Sequence, residues 1–370
     1  MTEQQLLDYL SLLLIPTVGN ITVKTLVSYC GSIERVHNTS KSQLLKIPGL
    51  GEKMVDTVLE APQYRKRAER ELKFIEKNQI RVLNYLEPDY PQRLKLCADS
   101  PVLLYFKGTG SLEFRRVLSV VGTRQATQYG RDICQKLVAD LQDYNVLLVS
   151  GLAYGIDYQI HWHCAQQNLP TIGVLAHGLD RVYPLEHADL ARKMMENGGI
   201  VSEFVSQVLP ERDNFPRRNR IIAGMADGTI VVETPMKGGS LVTVRAAAAY
   251  NRDVFAFPGR VDDSMSAGCN WLIKQNQATL VESAQDIAAY YGWEKGESPK
   301  PDSTQTQLLL DLSEDELLIM NLLREKKTAH IDVICYYTAL EQGTVSATLL
   351  NMEFRNLVKA LPGSIYKLMY

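Results

Sequence analysis

Three arginines fall within six residues, Arg217, Arg218 and Arg220, with Phe215 ahead of them and Asn219 between. It is the densest basic cluster among the candidate segments. A guanidinium grips a phosphate with two parallel donors and stacks on a base, and a phenyl ring offers an unpaired base a flat partner. Bases are open to such contacts in single strands rather than in duplexes. Composition alone equally allows a solvated basic face, or arginines paired with acidic neighbours such as Glu203 or Glu211.

Other candidate segments share one character. Gly122-Thr123-Arg124, Ser150-Gly151 with the run to Asp157, His177-Gly178, Lys237-Gly238-Gly239-Ser240 and Pro258-Gly259-Arg260 combine glycines, hydroxyls and cations. Backbone N–H groups, guanidinium forks and a helix dipole make sites for phosphates. The first segment is not a G-x-G-x-x-G fingerprint. In the fourth the lysine precedes the glycines, so it is not a Walker A loop; no nucleotide cofactor and no ATP hydrolysis are expected. Asp157 and His161 are spaced to share a helix face, as an acid/base pair or as a helix-start carboxylate and a core histidine. His161 and His163 diverge on a helix, and the six cysteines are scattered with no C-x-x-C pair, so no metal site is expected.

The elements that must position these segments follow from periodicity. Short apolar runs at 117–122, 146–150, 171–176, 199–204, 229–233, 253–257 and 278–282 alternate with helical patterns such as 129–142 and 240–250. This predicts βαβ units in a Rossmann-like, doubly wound, mostly parallel α/β sheet over 81–293. Ligands of such sheets bind beyond the carboxyl ends of the strands, where every candidate segment falls.

Residues 1–80 read as a helical module with an internal repeat: Ile15-Pro16-Thr17-Val18-Gly19 returns as Ile47-Pro48-Gly49-Leu50-Gly51. The second copy resembles a helix-hairpin-helix element, whose turn N–H groups could hold a phosphate; a packing role is the other reading. A polar linker is expected at 294–312. A C-terminal module follows over 313–370, with helices from Ser313 through Arg324, near 330–339 and at 344–359, then a terminal hairpin, a pattern that resembles a winged helix.

With 370 residues, 45% hydrophobic and 22% charged, the chain can bury a core without disulfides, and its formal net charge of −2 requires any nucleic-acid contact to be local. No segment has the apolar length of a membrane span and none resembles a signal peptide, so a cytoplasmic protein is expected.

Five motifs in order, SVVGTRQATQYG (119–130), VSGLAYGIDYQIH (149–161), FPRRNRIIAGMADGTIVVET (215–234), GGSLVT (238–243) and VFAFPG (254–259), resemble the DprA/Smf family of DNA-processing proteins. The likeness extends through Asp89-Tyr90-Pro91 and the C-terminal module. It implies a non-enzymatic protein that binds single-stranded DNA entering during natural transformation, protects it and helps load the RecA recombinase. It also implies a homodimer through the Rossmann-like domain. Arg124, Phe215, Arg217, Arg218, Asn219 and Arg220 carry over as the DNA pocket. Gly238, Gly239 and Ser240 carry over as a backbone-donor loop, and Ser150 and Gly151 as lining of the same edge. Residues 233–237 stand where the family's loop varies, the N-terminal module is variable, and His163 has no assigned role. Two other readings stay open. One is a nucleotide-processing enzyme of the lysine-decarboxylase-like phosphoribohydrolase type, hinted at by Glu233 near Gly238-Gly239 but lacking the compact P-G-G-x-G-T-x-x-E pattern. The other makes the winged helix the main partner-binding element, despite few cations near 344–359 (Arg355 and Lys359).

Overall fold

The computed structural model describes residues 1–296, 313–326, 328–355, 357–361 and 364–368. The chain divides into two compact units, Met1–Ser298 and Pro299–Tyr370.

The first unit is built on nine strands: β1 Arg81–Asn84, β2 Leu103–Lys107, β3 Arg116–Val121, β4 Val146–Ser150, β5 Thr171–Leu175, β6 Gly199–Ser202, β7 Gly228–Val231, β8 Asp253–Ala256 and β9 Thr279–Leu280. They lie in the order β1-β2-β6-β5-β4-β3-β7-β8-β9. All neighbours from β6 to β9 are parallel; β1 and β2 extend one edge antiparallel. Every residue of β3, β4 and β5 is buried, because helices cover both faces. Side chains alternate between two cores. Val117, Val121, Leu147 and Val149 pack on one side with the helices Asn214–Gly224 and Ser240–Ala249. Leu118, Val120, Val146 and Leu148 pack on the other with the helices Gln128–Leu141 and Ile156–Gln166.

The strand order reverses direction at β3. From there the chain winds outward through β4, β5 and β6, then returns to the other side of β3 with β7, β8 and β9. The loops after β3 and β7 therefore part at a topological switch point, where such sheets open a crevice.

Residues 1–80 form helices within the same unit, and their core includes Tyr105 and Leu175 of the sheet. Both copies of the repeat start a helix from a glycine N-cap in extended conformation, Gly19 before Asn20–Cys30 and Gly51 before Glu52–Leu59. The first copy is fastened to the sheet: the Asn20 side chain accepts from the Val102 N–H (2.9 Å) and donates to Glu203 (3.2 Å).

The second unit contains helices Glu314–Lys326, Ile331–Thr338 and Gln342–Phe354 with strands β10 Thr328–His330, β11 Val358–Leu361 and β12 Ile365–Leu368 in the order β10-β12-β11. Ser313 and Glu316 form the expected capping box. The helix expected at 344–359 ends at Phe354, because Val358–Leu361 pairs antiparallel with β12. Of the linker expected at 294–312, residues 297–312 lie outside the described residues.

Candidate nucleic-acid interface

A cleft of about 470 Å³ opens at the switch point. Its walls are the turn after β3, the start of the helix after β4, the helix Asn214–Gly224 and the loop that leads from β7 into Ser240–Ala249. Two close approaches knit these walls together. The Ile156 N–H donates to the Thr123 carbonyl (3.1 Å) and the Thr123 N–H to the Glu233 carbonyl (2.7 Å). Gly155 permits the first: its φ is +75°, and a Cβ there would stand 2.2 Å from the Thr123 oxygen.

Seven of the predicted residues line the cleft: Arg124, Phe215, Arg218, Asn219, Gly238, Gly239 and Ser240. Arg124 is exposed, its guanidinium 5.1 Å from the centre of the Phe215 ring. Arg218 approaches the same ring at 6.0 Å but is only 3% exposed. Its Nη1 donates to the carbonyls of Gly151 (2.6 Å) and Val174, and its Nε to Asn219 Oδ1 (3.1 Å). Burial pulls its pKa down to about 10, with Asp157 opposing the shift, so it remains a cation at neutral pH. Asp157, also buried, accepts from the N–H groups of Gly151 (3.1 Å) and Ala153 (3.4 Å). Burial raises its pKa, against the pull of Arg218. The carboxylate thus orders the loop after β4 and favours the charged form of Arg218.

At the opposite wall, Gly239 caps the helix Ser240–Ala249 without a side-chain bond. Among the described residues the N–H groups of Gly239 and Ser240 find no acceptor, as expected of a helix start. The Ser240 hydroxyl is turned to Thr234 Oγ1 (2.7 Å). This wall therefore offers backbone donors and a positive dipole end to an anion.

The other predicted residues lie elsewhere. Ser150 is fully buried, its hydroxyl donating to the Val120 carbonyl (2.6 Å), so it ties β4 to β3 and offers nothing to a ligand. Gly151 borders a smaller hollow beside the cleft. Arg217 is exposed with its guanidinium 5.2 Å from the Phe204 ring centre, outside the cleft lining. Arg220 faces away: it donates to the buried carboxylate of Glu203 and to the Asp99 carbonyl (2.5 Å). The Phe215–Arg220 segment is helical, so successive arginines point to different sides.

His161 does not pair with Asp157; its Nδ1 lies 2.8 Å from Thr171 Oγ1, and burial pushes its pKa down to about 3. His163 packs edge-on against Trp162. Glu233 is fully buried and accepts from the Thr127 N–H (3.0 Å) and hydroxyl (2.5 Å), capping the helix Gln128–Leu141. That employment removes the carboxylate that the phosphoribohydrolase reading needs in the cleft. In the second unit, Arg355 is held by Glu316 (2.9 Å). Sequence reasoning missed Asp157 as the carboxylate that favours the charged form of Arg218, and Gln125 and Met265 as lining. Asp157 carried a signal, since it closes the run that begins at Ser150-Gly151. Met265 carried none.

Among the described residues no group of His, Cys, Asp and Glu could hold a metal ion, and no helix is long and apolar enough to cross a membrane.

A family model described as DNA recombination-mediator protein A matches residues 81–292, and one described as DprA winged helix domain matches residues 299–364. Protein Smf of Synechocystis sp. is 31% identical over 391 aligned residues, 95% of this chain and 95% of that one. DNA processing protein DprA of Streptococcus pneumoniae is 40% identical over 207 residues, 56% of this chain and 72% of that one. The X-ray structure of DprA from Streptococcus pneumoniae matches with a TM-score of 0.66 and 32% identity over 76% of this chain and 95% of that one. DprA from Helicobacter pylori, whose structure is described for its single-stranded DNA binding mode, matches with a TM-score of 0.53 and 26% identity over 58% of this chain and 98% of that one. The chain belongs to the DprA/Smf family of DNA-processing proteins.

Proposed function

We propose that the switch-point cleft binds single-stranded DNA, with Arg124 and Arg218 as its cations, Phe215 as a stacking surface and the Gly238-Gly239-Ser240 turn as a phosphate cradle. The observation that carries this reading is the convergence of two guanidinium groups on one phenyl ring, facing a helix start with free N–H donors. Phosphates meet charge-assisted donors there and bases meet a ring, the combination that suits an unpaired strand. The single-stranded DNA binding described for the Helicobacter pylori relative supports the same ligand.

On the strength of family membership, the strand is DNA taken up in natural transformation. The protein protects it and helps load RecA onto it, acting in the cytoplasm as a homodimer through the Rossmann-like unit and performing no bond chemistry itself. A gel-shift comparison of a single strand and its duplex, followed by RecA filament formation on the bound strand, tests both levels. Preferential single-strand shifts and faster RecA assembly are expected. Equal shifts would end the ligand assignment, and unaltered RecA assembly would end the mediator role alone.

A further inference from the structure

One helix of the N-terminal module, Arg65–Lys77, turns a row of cations to the surface. It buries Ala68, Glu71, Leu72 and Ile75. The opposite face carries Lys66, Arg70, Lys73 and Lys77, each three or four residues from the next and all exposed, with exposed Arg67 beside them. Arg65 is taken by Asp8 (2.7 Å). The other five cations have no ion-pair partner among the described residues, although Glu69 stands three or four residues from both Lys66 and Lys73.

Stability does not explain this row. Cations three and four apart on a helix repel one another, and Lys66 and Arg67 stand in the first turn, where the helix dipole disfavours positive charge. A chain of net charge −2 thus concentrates unpaired cations along about 16 Å of one helix. Such a stripe is the electrostatic footprint of a polyanion. The exposed residues of the helix are all charged, so it meets phosphates and not bases.

The same helix is fastened to the segment that leads into the cleft. Glu71 accepts from the Ser206 N–H (2.8 Å) and from the Ser206 hydroxyl. Ser206 lies in the loop between β6 and the helix Asn214–Gly224, and Phe204 of that loop has the exposed Arg217 guanidinium 5.2 Å from its ring centre. Arg67 is one turn from Glu71, on the flank turned to this loop, whereas Glu69 and Glu76 fall on the other flank. Cations therefore lead from the cleft helix through Arg217 to the row.

We propose that this row is a second track for the single strand, holding the phosphates of the stretch that leaves the switch-point cleft. This assignment rests on the single-strand reading of the cleft and extends it by about three or four phosphates, the number that fits along the row.

The test uses the full chain and fluorescence anisotropy with oligothymidylates of about eight and about thirty nucleotides, the shorter one a length that a single site can hold. The variant Lys66→Gln/Arg70→Gln/Lys73→Gln/Lys77→Gln keeps helix-forming residues at exposed positions. At low salt it should bind the long strand about tenfold more weakly, with a salt slope shallower by about 2–3, and the short strand within about twofold of wild type. Its unfolding midpoint should equal or exceed that of wild type, because like-charge repulsion is relieved. Lys66→Arg/Arg70→Lys/Lys73→Arg/Lys77→Arg, which keeps every charge, should retain long-strand binding. Unchanged long-strand affinity and slope in the glutamine variant would overturn the track and leave the cleft reading intact. Equal losses on both lengths would also overturn it, since the helix would then act through the cleft, and a loss confined to duplex DNA would overturn the single-strand assignment. Arg124→Ala should weaken both lengths in either background; if it weakens neither, the cleft reading ends and the continuation from it ends as well.

Discussion

The Arg220–Glu203 pair invites a perturbation that separates architecture from binding. The Glu203 side chain is 3% exposed and the Arg220 side chain 16%. Among the described residues Glu203 is otherwise hydrogen-bonded only by Asn20, and burial already raises its pKa against the opposing pull of Arg220. Arg220→Met therefore strands a buried carboxylate, a change that costs about 3–5 kcal/mol when one partner of a buried pair is removed. Glu203→Leu should cost somewhat less, because Arg220 keeps the Asp99 carbonyl and a distant contact to its carboxylate. The double variant Arg220→Met/Glu203→Leu replaces the pair with apolar volume and should recover most of the loss, to within about 2 kcal/mol of wild type. The three tryptophans of the chain, Trp162, Trp271 and Trp293, all lie in the first unit, so urea unfolding followed by tryptophan fluorescence reports that unit separately. At a temperature where each variant is folded, single-strand affinity should stay within about twofold of wild type, since Arg220 points out of the cleft. Three single and double variants of equal stability, or a loss of binding in Arg220→Met without a loss of stability, would refute the assignment of Arg220 to the scaffold.

Arg124→Ala should weaken single-strand binding about tenfold and flatten the salt dependence by about 0.7 per lost phosphate contact, with no change in unfolding midpoint, because Arg124 is exposed; unchanged affinity would remove it from the site. Gly151→Ala would put a Cβ 2.6 Å from the Arg218 guanidinium; it should destabilise the first unit by about 1–3 kcal/mol and lower affinity together, and a silent variant would show that the guanidinium is not held as described. His161 is held at about 3 against its ordinary 6.5 by burial, so its stabilising contribution is present above pH 6.5 and is lost as pH falls toward 3. Urea stability of the first unit should therefore fall on the order of 1.4 kcal/mol per pH unit between pH 6 and 4 from this group. His161→Gln should shallow that slope, and an identical slope would contradict it.

The sheet was legible because the parallel strands β3 to β7 are buried on both faces and so appear as mostly apolar runs. Val146–Ser150 coincides with its expected range, and Thr171–Leu175 differs by one residue. The order of those strands in space was not legible, since it depends on which helix crosses which face. The switch point between β3 and β7 therefore emerges only from the fold. The basic cluster was visible as composition, and Glu203 was named as a possible partner of an arginine. Only the helical turn through 215–220 assigns that partner to Arg220 and the cleft to Arg218. Ser150 illustrates the opposite failure: a hydroxyl beside a glycine looks like a donor to phosphate until the backbone carbonyl of β3 claims it. In the second unit, apolar Leu357 and Val358 continue a helical spacing as readily as a strand, and pairing with Ile365–Leu368 decides between them.

The central claim, that the switch-point cleft is a single-strand site of few phosphate contacts, is tested most directly by the salt dependence of binding to oligothymidylate and to duplex DNA. On that reading Arg124, Arg218 and the Gly239–Ser240 donors would engage about two or three phosphates per site. The logarithm of affinity should fall against the logarithm of salt with a slope of about −2 per site, single strands should bind more tightly than duplex at every salt, and Arg124→Ala should reduce the single-strand slope. Duplex binding as tight as single-strand binding, or a slope that Arg124→Ala leaves unaltered, would contradict the account.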